Sequence, residues 1–330
     1  MRRLLVVGGC VGALAAPAGA GAAGGPVTAV QGGAGVRVAG SAAGYVAVGV
    51  GRRTLVEQVL APGGAIVRTL TIRGTYGVPG VAYDNSTTGL SADGRTLVLA
   101  QIPNRFPVRR TRLAVLDARR LRVARRITLP GFYTVDAIAP DGRSLYLIRY
   151  LRQDGTRYEV RAYDIAARRL VPAPVVDPEE PGEKMQGFPL TRATSLDGRF
   201  AYTLYQRPEG PPFVHALDTA RGTAACIDLP TLAGHDLSGA RLTPPTATRP
   251  LRLDRAGLAP LAIDVAARRA RPASPGRPSA PAPEHRPGQD PPGVDAGRLG
   301  GLAAAVAAGV ALVAVARRRR RPGARREMPA

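Results

Sequence analysis

Few residues of this 330-residue chain have chemical reach: three histidines, two cysteines and no tryptophan. His215 lies in Phe213-Val214-His215-Ala216-Leu217, a strand-like run, and reads as a packed histidine. His285 falls in a proline-rich stretch. His235-Asp236 sets one imidazole beside one carboxylate, too few ligands for a zinc centre. Cys226 is the only thiol outside the N-terminal leader and reads as a small buried apolar residue. No G-x-S-x-G, Walker A or dinucleotide-binding fingerprint occurs in a strand–helix context. No catalytic residue, resident metal or cofactor is therefore assigned. What remains is a set of loops in which aromatic rings accompany carboxylates. One holds Tyr76, Tyr83, Asp84 and Asn85, and the next Phe132, Tyr133 and Asp136. A longer one holds Asp177, Glu179, Glu180, Met185 and Phe188, and the last His235 and Asp236. From them we take Tyr83, Asp84, Tyr133, Asp136, Glu179, Glu180, Phe188, His235 and Asp236 as a candidate ligand face. Rings with carboxylates stack on sugars or hold a basic group, and calcium is the one ion such loops would suit. Asn85-Ser86-Thr87 fits an N-glycosylation sequon, which turn composition also accounts for.

The elements that must position these loops repeat. Ser91-Ala92-Asp93-Gly94-Arg95-Thr96-Leu97-Val98-Leu99 is matched by Ala139-Pro140-Asp141-Gly142-Arg143-Ser144-Leu145-Tyr146-Leu147. A third copy is Ser195-Leu196-Asp197-Gly198-Arg199-Phe200-Ala201-Tyr202-Thr203. A second motif, with Asp117, Asp164 or Asp218 after an apolar pair, follows each copy, and Asp264 gives it a fourth time. The period of about 46 to 56 residues is that of arrays and propellers. Asp93-Gly94, Asp141-Gly142 and Asp197-Gly198 read as structural hairpin turns, because Asp and Gly tolerate positive φ. The clearest repeat parses into strands at Val135–Ala139, Ser144–Tyr150, Tyr158–Asp164 and Leu170–Val176. Leu145-Tyr146-Leu147-Ile148 is apolar on both faces, as a sheet sandwiched between neighbours requires.

Full repeats are read at about 88–129, 135–176 and 192–229, and a degenerate one at about 240–270. A partial one comes first, with strands at Tyr45–Gly51, Thr54–Leu60 and Ala65–Ile72. The expected fold is all-β: a β-propeller-like array of about five four-stranded blades. In this parsing the first blade lacks its opening strand and the fifth its last, so residues 26–40 are expected to help close the ring. An open or irregular ring is the alternative. The Ser/Ala-x-Asp-Gly-Arg-x-Leu-Tyr-Leu segment with its later Asp turn resembles the YVTN-type and TolB-type propeller repeats of secreted bacterial proteins, distant relatives of WD repeats. The resemblance covers about residues 90–270 and implies a blade, not an activity. The Gly-His and Trp-Asp signatures of WD repeats are missing.

Both ends read as targeting segments. Arg2-Arg3, the apolar stretch Leu4–Ala16 and Ala18-Gly19-Ala20 make residues 1–23 a signal peptide. Cys10 follows only a loose lipobox. Leu299–Ala316 is an uncharged run of 18 residues followed at once by Arg317–Arg321. At about 27 Å it spans a hydrocarbon core, and the arginines stop transfer. Residues 271–298 hold eight prolines and read as an extended stalk about 80 Å long at most. The propeller then covers 24–270, the transmembrane helix 299–316 and an Arg-rich cytoplasmic tail 317–330. This topology puts the chain in the cell membrane as a single-pass protein, N-terminus outside.

The net charge of +22 falls to +14 once the end segments are set aside, and 45 of the 46 basic residues are arginine. The positive charge is scattered along the sequence, which argues against a nucleic-acid partner. The expected function is a non-catalytic binding or interaction module at the cell surface. Its expected partners are the bilayer through 299–316 and a surface protein, wall polymer or small ligand. A propeller enzyme of lactonase or quinoprotein type and an envelope scaffold of TolB type are the alternatives.

Overall fold

The computed structural model describes residues 26–273, except 153, 156, 183 and 184. The expected signal peptide, the stalk from residue 274, the span and the tail lie outside the described residues, as do Cys10 and His285. Among the described residues no helix is long and apolar enough to cross a membrane.

Among the described residues twenty-one strands form five antiparallel sheets, which we call blades 1 to 5. Blade 1 contains β2 (Val36–Arg37), β3 (Ala43–Val50), β4 (Arg53–Leu60) and β5 (Ala65–Arg73). Blade 2 contains β6 (Tyr76–Pro79), β7 (Thr96–Gln101), β8 (Arg110–Asp117) and β9 (Arg122–Pro130), with β1 (Ala29–Val30) added beside β6. Blade 3 runs β10 (Tyr133–Ile138), β11 (Ser144–Tyr150), β12 (Tyr158–Asp164) and β13 (Arg169–Val175). Blade 4 runs β14 (Phe188–Thr194), β15 (Phe200–Gln206), β16 (Phe213–Asp218) and β17 (Thr223–Asp228). Blade 5 has shorter strands: β18 (Arg241–Thr243), β19 (Leu251–Asp254), β20 (Leu261–Asp264) and β21 (Arg269–Pro272).

Each interior blade buries both faces against its neighbours. Tyr45, Val56 and Ile72 of blade 1 pack on Leu97, Leu99 and Leu116 of blade 2. The opposite face of blade 2, with Val98, Leu113 and Val115, meets Val135, Leu145 and Leu147 of blade 3. Tyr146, Val160 and Ala162 then meet Ala201, Leu217 and Ala224 of blade 4. Leu204, Val214 and Ile227 meet Leu242, Leu251 and Ile263 of blade 5. Adjacent residues such as Leu145 and Tyr146 thus serve different cores, because successive side chains of a strand point to opposite faces. Among the described residues no core cluster joins blade 5 to blade 1.

Recurring polar devices fix the turns. The Oδ1 atoms of Asp93, Asp141 and Asp197 accept the amides of Arg95, Arg143 and Arg199 at 2.9–3.0 Å. Gly142 has φ +69°, and a Cβ there would sit 2.7 Å from Thr96 Cβ, so only glycine fits. Asp117, Asp164 and Asp264 accept amides three residues on. Two latches cross between blades. The Tyr45 hydroxyl donates to the Ala118 carbonyl at 3.0 Å and the Tyr146 hydroxyl to the Thr219 carbonyl at 2.8 Å. Both span 73 residues and reach the turn after the second-motif aspartate of the next blade. A third device repeats as well: Thr54 Oγ1 donates to Gly74 O, and Thr111 Oγ1 to Gly131 O.

Several expectations need correction. The opening strand of blade 1 is present as Val36–Arg37, and blade 5 has its last strand in Arg269–Pro272, which takes in two residues read as stalk. Two residues carry no periodicity, and Arg269-Ala270-Arg271-Pro272 carries no apolar pattern. Blade 2 begins at Tyr76, earlier than read, because its first strand is short and contains Gly77 and Pro79. Within residues 26–40 only two short strands pair: Ala29–Val30 with Pro79 and Val78, and Val36–Arg37 with Tyr45 and Gly44. They complete blades 1 and 2 and do not bring blade 5 to blade 1.

Candidate functional site

The structure divides the sequence-predicted ligand face into separate environments. Asp136 is the extra residue of a β-bulge in β10, between Val135 and Ala137. The bulge turns it into the interior, where it is 1% exposed and ion-paired with Arg192 of β14. Arg192 Nη1 also donates to the Asp136 carbonyl at 3.1 Å. Tyr133 is buried in the core between blades 2 and 3. Asp136 does not belong to an open face: a carboxylate without a partner would have been expelled from this interior, and Arg192 is that partner. Tyr133, though buried, borders the open cavity between blades 2 and 3. Asp84 and Asp236 are exposed, and each Oδ1 accepts the amide two residues on, from Ser86 and Ser238. His235 is also exposed, and Asp236 lies 3.5 Å from Arg255. Glu179 is exposed and pairs with Arg268 at 3.2 Å, while Glu180 donates its amide to Asp177 O.

Tyr83 and Phe188 do come together. The amides of Tyr83 and Asp84 donate to Pro189 O and Leu190 O, so the first loop of blade 2 crosses to the first strand of blade 4. There Tyr83, Phe188 and Pro26 border a small hollow with Tyr150, Tyr158 and Tyr205. The rings continue as a ladder. Phe132 stacks on Tyr150 at 4.9 Å, Tyr150 approaches Tyr158 at 6.0 Å, Tyr158 stacks on Tyr205 at 6.0 Å and Tyr205 on Phe213 at 5.2 Å. Burial pushes the Tyr150, Tyr158 and Tyr205 hydroxyls well above the usual phenol range. The hollow has room for about 10 Å³, below the size of any ligand. This cluster is packing with polar tips, not a binding site.

In the sequence Asp177 is one carboxylate of a loop; in the fold it is a junction. Its side chain is 1% exposed and ties three segments together. It accepts Arg268 Nη1 at 2.6 Å, the Cys226 amide at 3.0 Å and the Glu179 amide at 2.9 Å. Burial works against its charge, but the Arg268 guanidinium and the two amides outweigh it and hold its carboxyl below the usual range. His215 is 2% exposed beside Tyr205, and Cys226 is buried. Among the described residues no group of three His, Cys, Asp or Glu side chains could hold a metal ion.

Two open cavities of about 710 Å³ each lie at blade junctions. One separates blades 4 and 5 and is lined by Phe200, Tyr202, Asp218, Arg221, Arg268 and the 245–251 loop. Its acids are engaged: Asp218 lies 2.6 Å from Arg199 and also accepts the Ala220 and Arg221 amides. The other lies between blades 2 and 3. The loop from β7 to β8 curls over it with Asn104, Arg105, Phe106 and Arg109, and Phe132–Val135 form its far wall. Sequence reasoning missed this cavity. Its signal was present as four arginines in eight residues, Arg105 to Arg112, with no acid among them.

No family model matches the chain, and no curated protein matches it. Solved structures do resemble it. TolB from Acinetobacter baumannii is similar over 69% of this chain and 50% of its own length, at 14% identity and a TM-score of 0.39. The chain thus spans about half of that protein. A putative TolB from Agrobacterium tumefaciens is similar over 69% and 75%, at 13% identity and 0.39. Hydrazine synthase from Kuenenia stuttgartiensis is similar over 72% and 76%, at 16% identity and 0.39. The blade assignment stands on the strand pairing and the inter-blade cores themselves. An array of blades does not by itself specify a reaction.

Proposed function

We propose that this protein is a membrane-anchored, extracytoplasmic, non-catalytic binding module. The observation that carries the reading is the pair of open cavities at blade junctions, each of about 710 Å³. That volume is within the range of ordinary ligand sites. Rigid sheets hold their walls, while loops supply the contacting side chains, which is how binding surfaces are usually built. The anchoring part of the proposal rests on sequence: the leader at 1–23, the proline-rich segment up to 298, the uncharged run 299–316 and the arginines after it.

The test is to recover the protein from cells, sequence its N-terminus and extract the membranes with alkaline carbonate. The reading expects a chain beginning just after Ala20 or Ala23 that stays in the membrane pellet. A chain beginning at Met1 and released into the soluble fraction would refute it.

A further inference from the structure

We infer that the cavity between blades 2 and 3 binds an acidic glycan, a polymer of sugar rings carrying carboxylate or phosphate groups. This rests on the binding-module reading and names its site and ligand class. Four of the lining residues are arginines, at 105, 109, 110 and 112, and none of the lining residues is acidic. All four arginines are exposed. Among the described residues none of them has an ion pair, whereas Arg149, Arg192, Arg199 and Arg268 are each matched to a carboxylate. The surroundings reinforce the charge. Residues 76–130, which make up most of blade 2, hold ten arginines against three carboxylates, while residues 177–229 hold eight carboxylates against five basic residues. Blade 2 thus carries a net +7, half of the +14 left once the end segments are set aside. Unpaired cations lining a concave wall focus the field and draw in anions, and guanidinium groups bind carboxylate and phosphate through paired N–H donors.

Charge alone would suit any polyanion. Phe106 narrows the class. It is 61% exposed, the largest exposure among the described bulky apolar side chains apart from Leu196. Its ring rests edge-on against Phe132 at 5.8 Å and 78°, and Phe132 is in turn stacked on Tyr150. A braced aromatic ring at a cavity mouth offers a flat apolar surface to one face of a sugar ring. Gln101 and Asn104 line the same cavity and offer amides to hydroxyl groups. Single-stranded nucleic acid is disfavoured, because it is held on successive aromatic platforms, and this cavity presents one exposed ring. A free inorganic anion would need neither the ring nor the volume.

The test uses the full-length protein in detergent micelles. The probes are oligogalacturonate, a glycosyl-phosphate oligomer, neutral dextran of matched length, inorganic phosphate and oligo-dT. The inference expects one or both acidic oligosaccharides to bind, dextran not to bind, and affinity to fall as salt is raised. The two acidic probes tell whether carboxylate or phosphate is the better substituent. Arg105→Gln and Arg109→Gln should each weaken binding about tenfold, the size of one lost charge-assisted hydrogen bond. Phe106→Ala should weaken it about three- to tenfold and leave the salt dependence unchanged. Arg143→Gln, on a hairpin turn outside the cavity, is the control and should bind normally. The inference is overturned if the acidic oligosaccharides fail to bind, if inorganic phosphate competes at equal concentration, if oligo-dT binds more tightly, or if normally folded Phe106 and Arg109 variants bind like the parent. Any of these, in a protein that remains membrane-bound with a processed N-terminus, removes the ligand assignment and leaves the module reading standing.

Discussion

At the scale of single residues, the chain uses its acids mainly as fasteners. Asp136 and Asp177 looked in sequence like members of an exposed ligand loop. The structure shows both nearly fully buried and matched to an arginine far along the chain, Arg192 and Arg268. Nothing in a linear sequence announces such a pairing: the partners are 56 and 91 residues away. Asp177 makes a prediction with a definite sign. Its folded pKa lies below the unfolded value of 3.8. Its stabilising contribution is therefore complete above that value and is lost as pH falls through the folded pKa. Asp177→Asn should lower stability at neutral pH by about 2 kcal/mol, less than for a fully buried pair because Arg268 keeps some contact with water. Urea midpoints of the parent and the variant, measured at neutral pH and at several values below 3.8, should converge toward acid. A constant gap across that range would show that the carboxylate charge is not what matters.

At the scale of elements, strands with an apolar pattern were legible. Val135–Ala139, Ser144–Tyr150, Tyr158–Asp164 and Leu170–Val176 each fall within a residue or two of β10 to β13. Elements whose pattern is too short or too polar were not legible: β1, β2, β6 and β21. The missed ones share a physical reason. Their pairing is dictated by neighbours that already form a sheet, so their own residues need carry little signal. The inter-blade latches were equally hidden, since a tyrosine in an apolar run reads as core. Tyr146 is core and also donates from its hydroxyl to Thr219 O, and burial first, then the nearby Asp218 and Asp141 charges, raise its pKa to about 12. Tyr146→Phe leaves that carbonyl without its donor and should cost about 1 to 2 kcal/mol. Thermal unfolding of the variant would show it, with the near-ultraviolet spectrum unchanged apart from the lost phenol. A variant as stable as the parent would mean that water replaces the latch freely.

At the scale of the whole molecule, the repeat period gave the all-β architecture and the number of blades. The ligand site was not legible, because it depends on which loops meet in space. Arg105 to Arg112 lie beside Phe132–Val135 only once blades 2 and 3 have packed. The two ends of the array also differ in character. Val46, Val48 and Leu55 sit partly exposed on blade 1 opposite its Tyr45, Ala47 and Val56 core face, whereas blade 5 carries the Arg252–Asp254 ion pair. The proposed function puts the blade array outside the cell, joined to the membrane through the proline-rich segment. Trypsin added to intact cells with a loosened wall tests it most directly. The expected result is release of a compact fragment cut at Arg277, Arg286 or Arg298, with the blades spared because their backbone is engaged in sheets. Complete protection until the cells are lysed would contradict the topology, and with it the reading of this chain as a surface binding module.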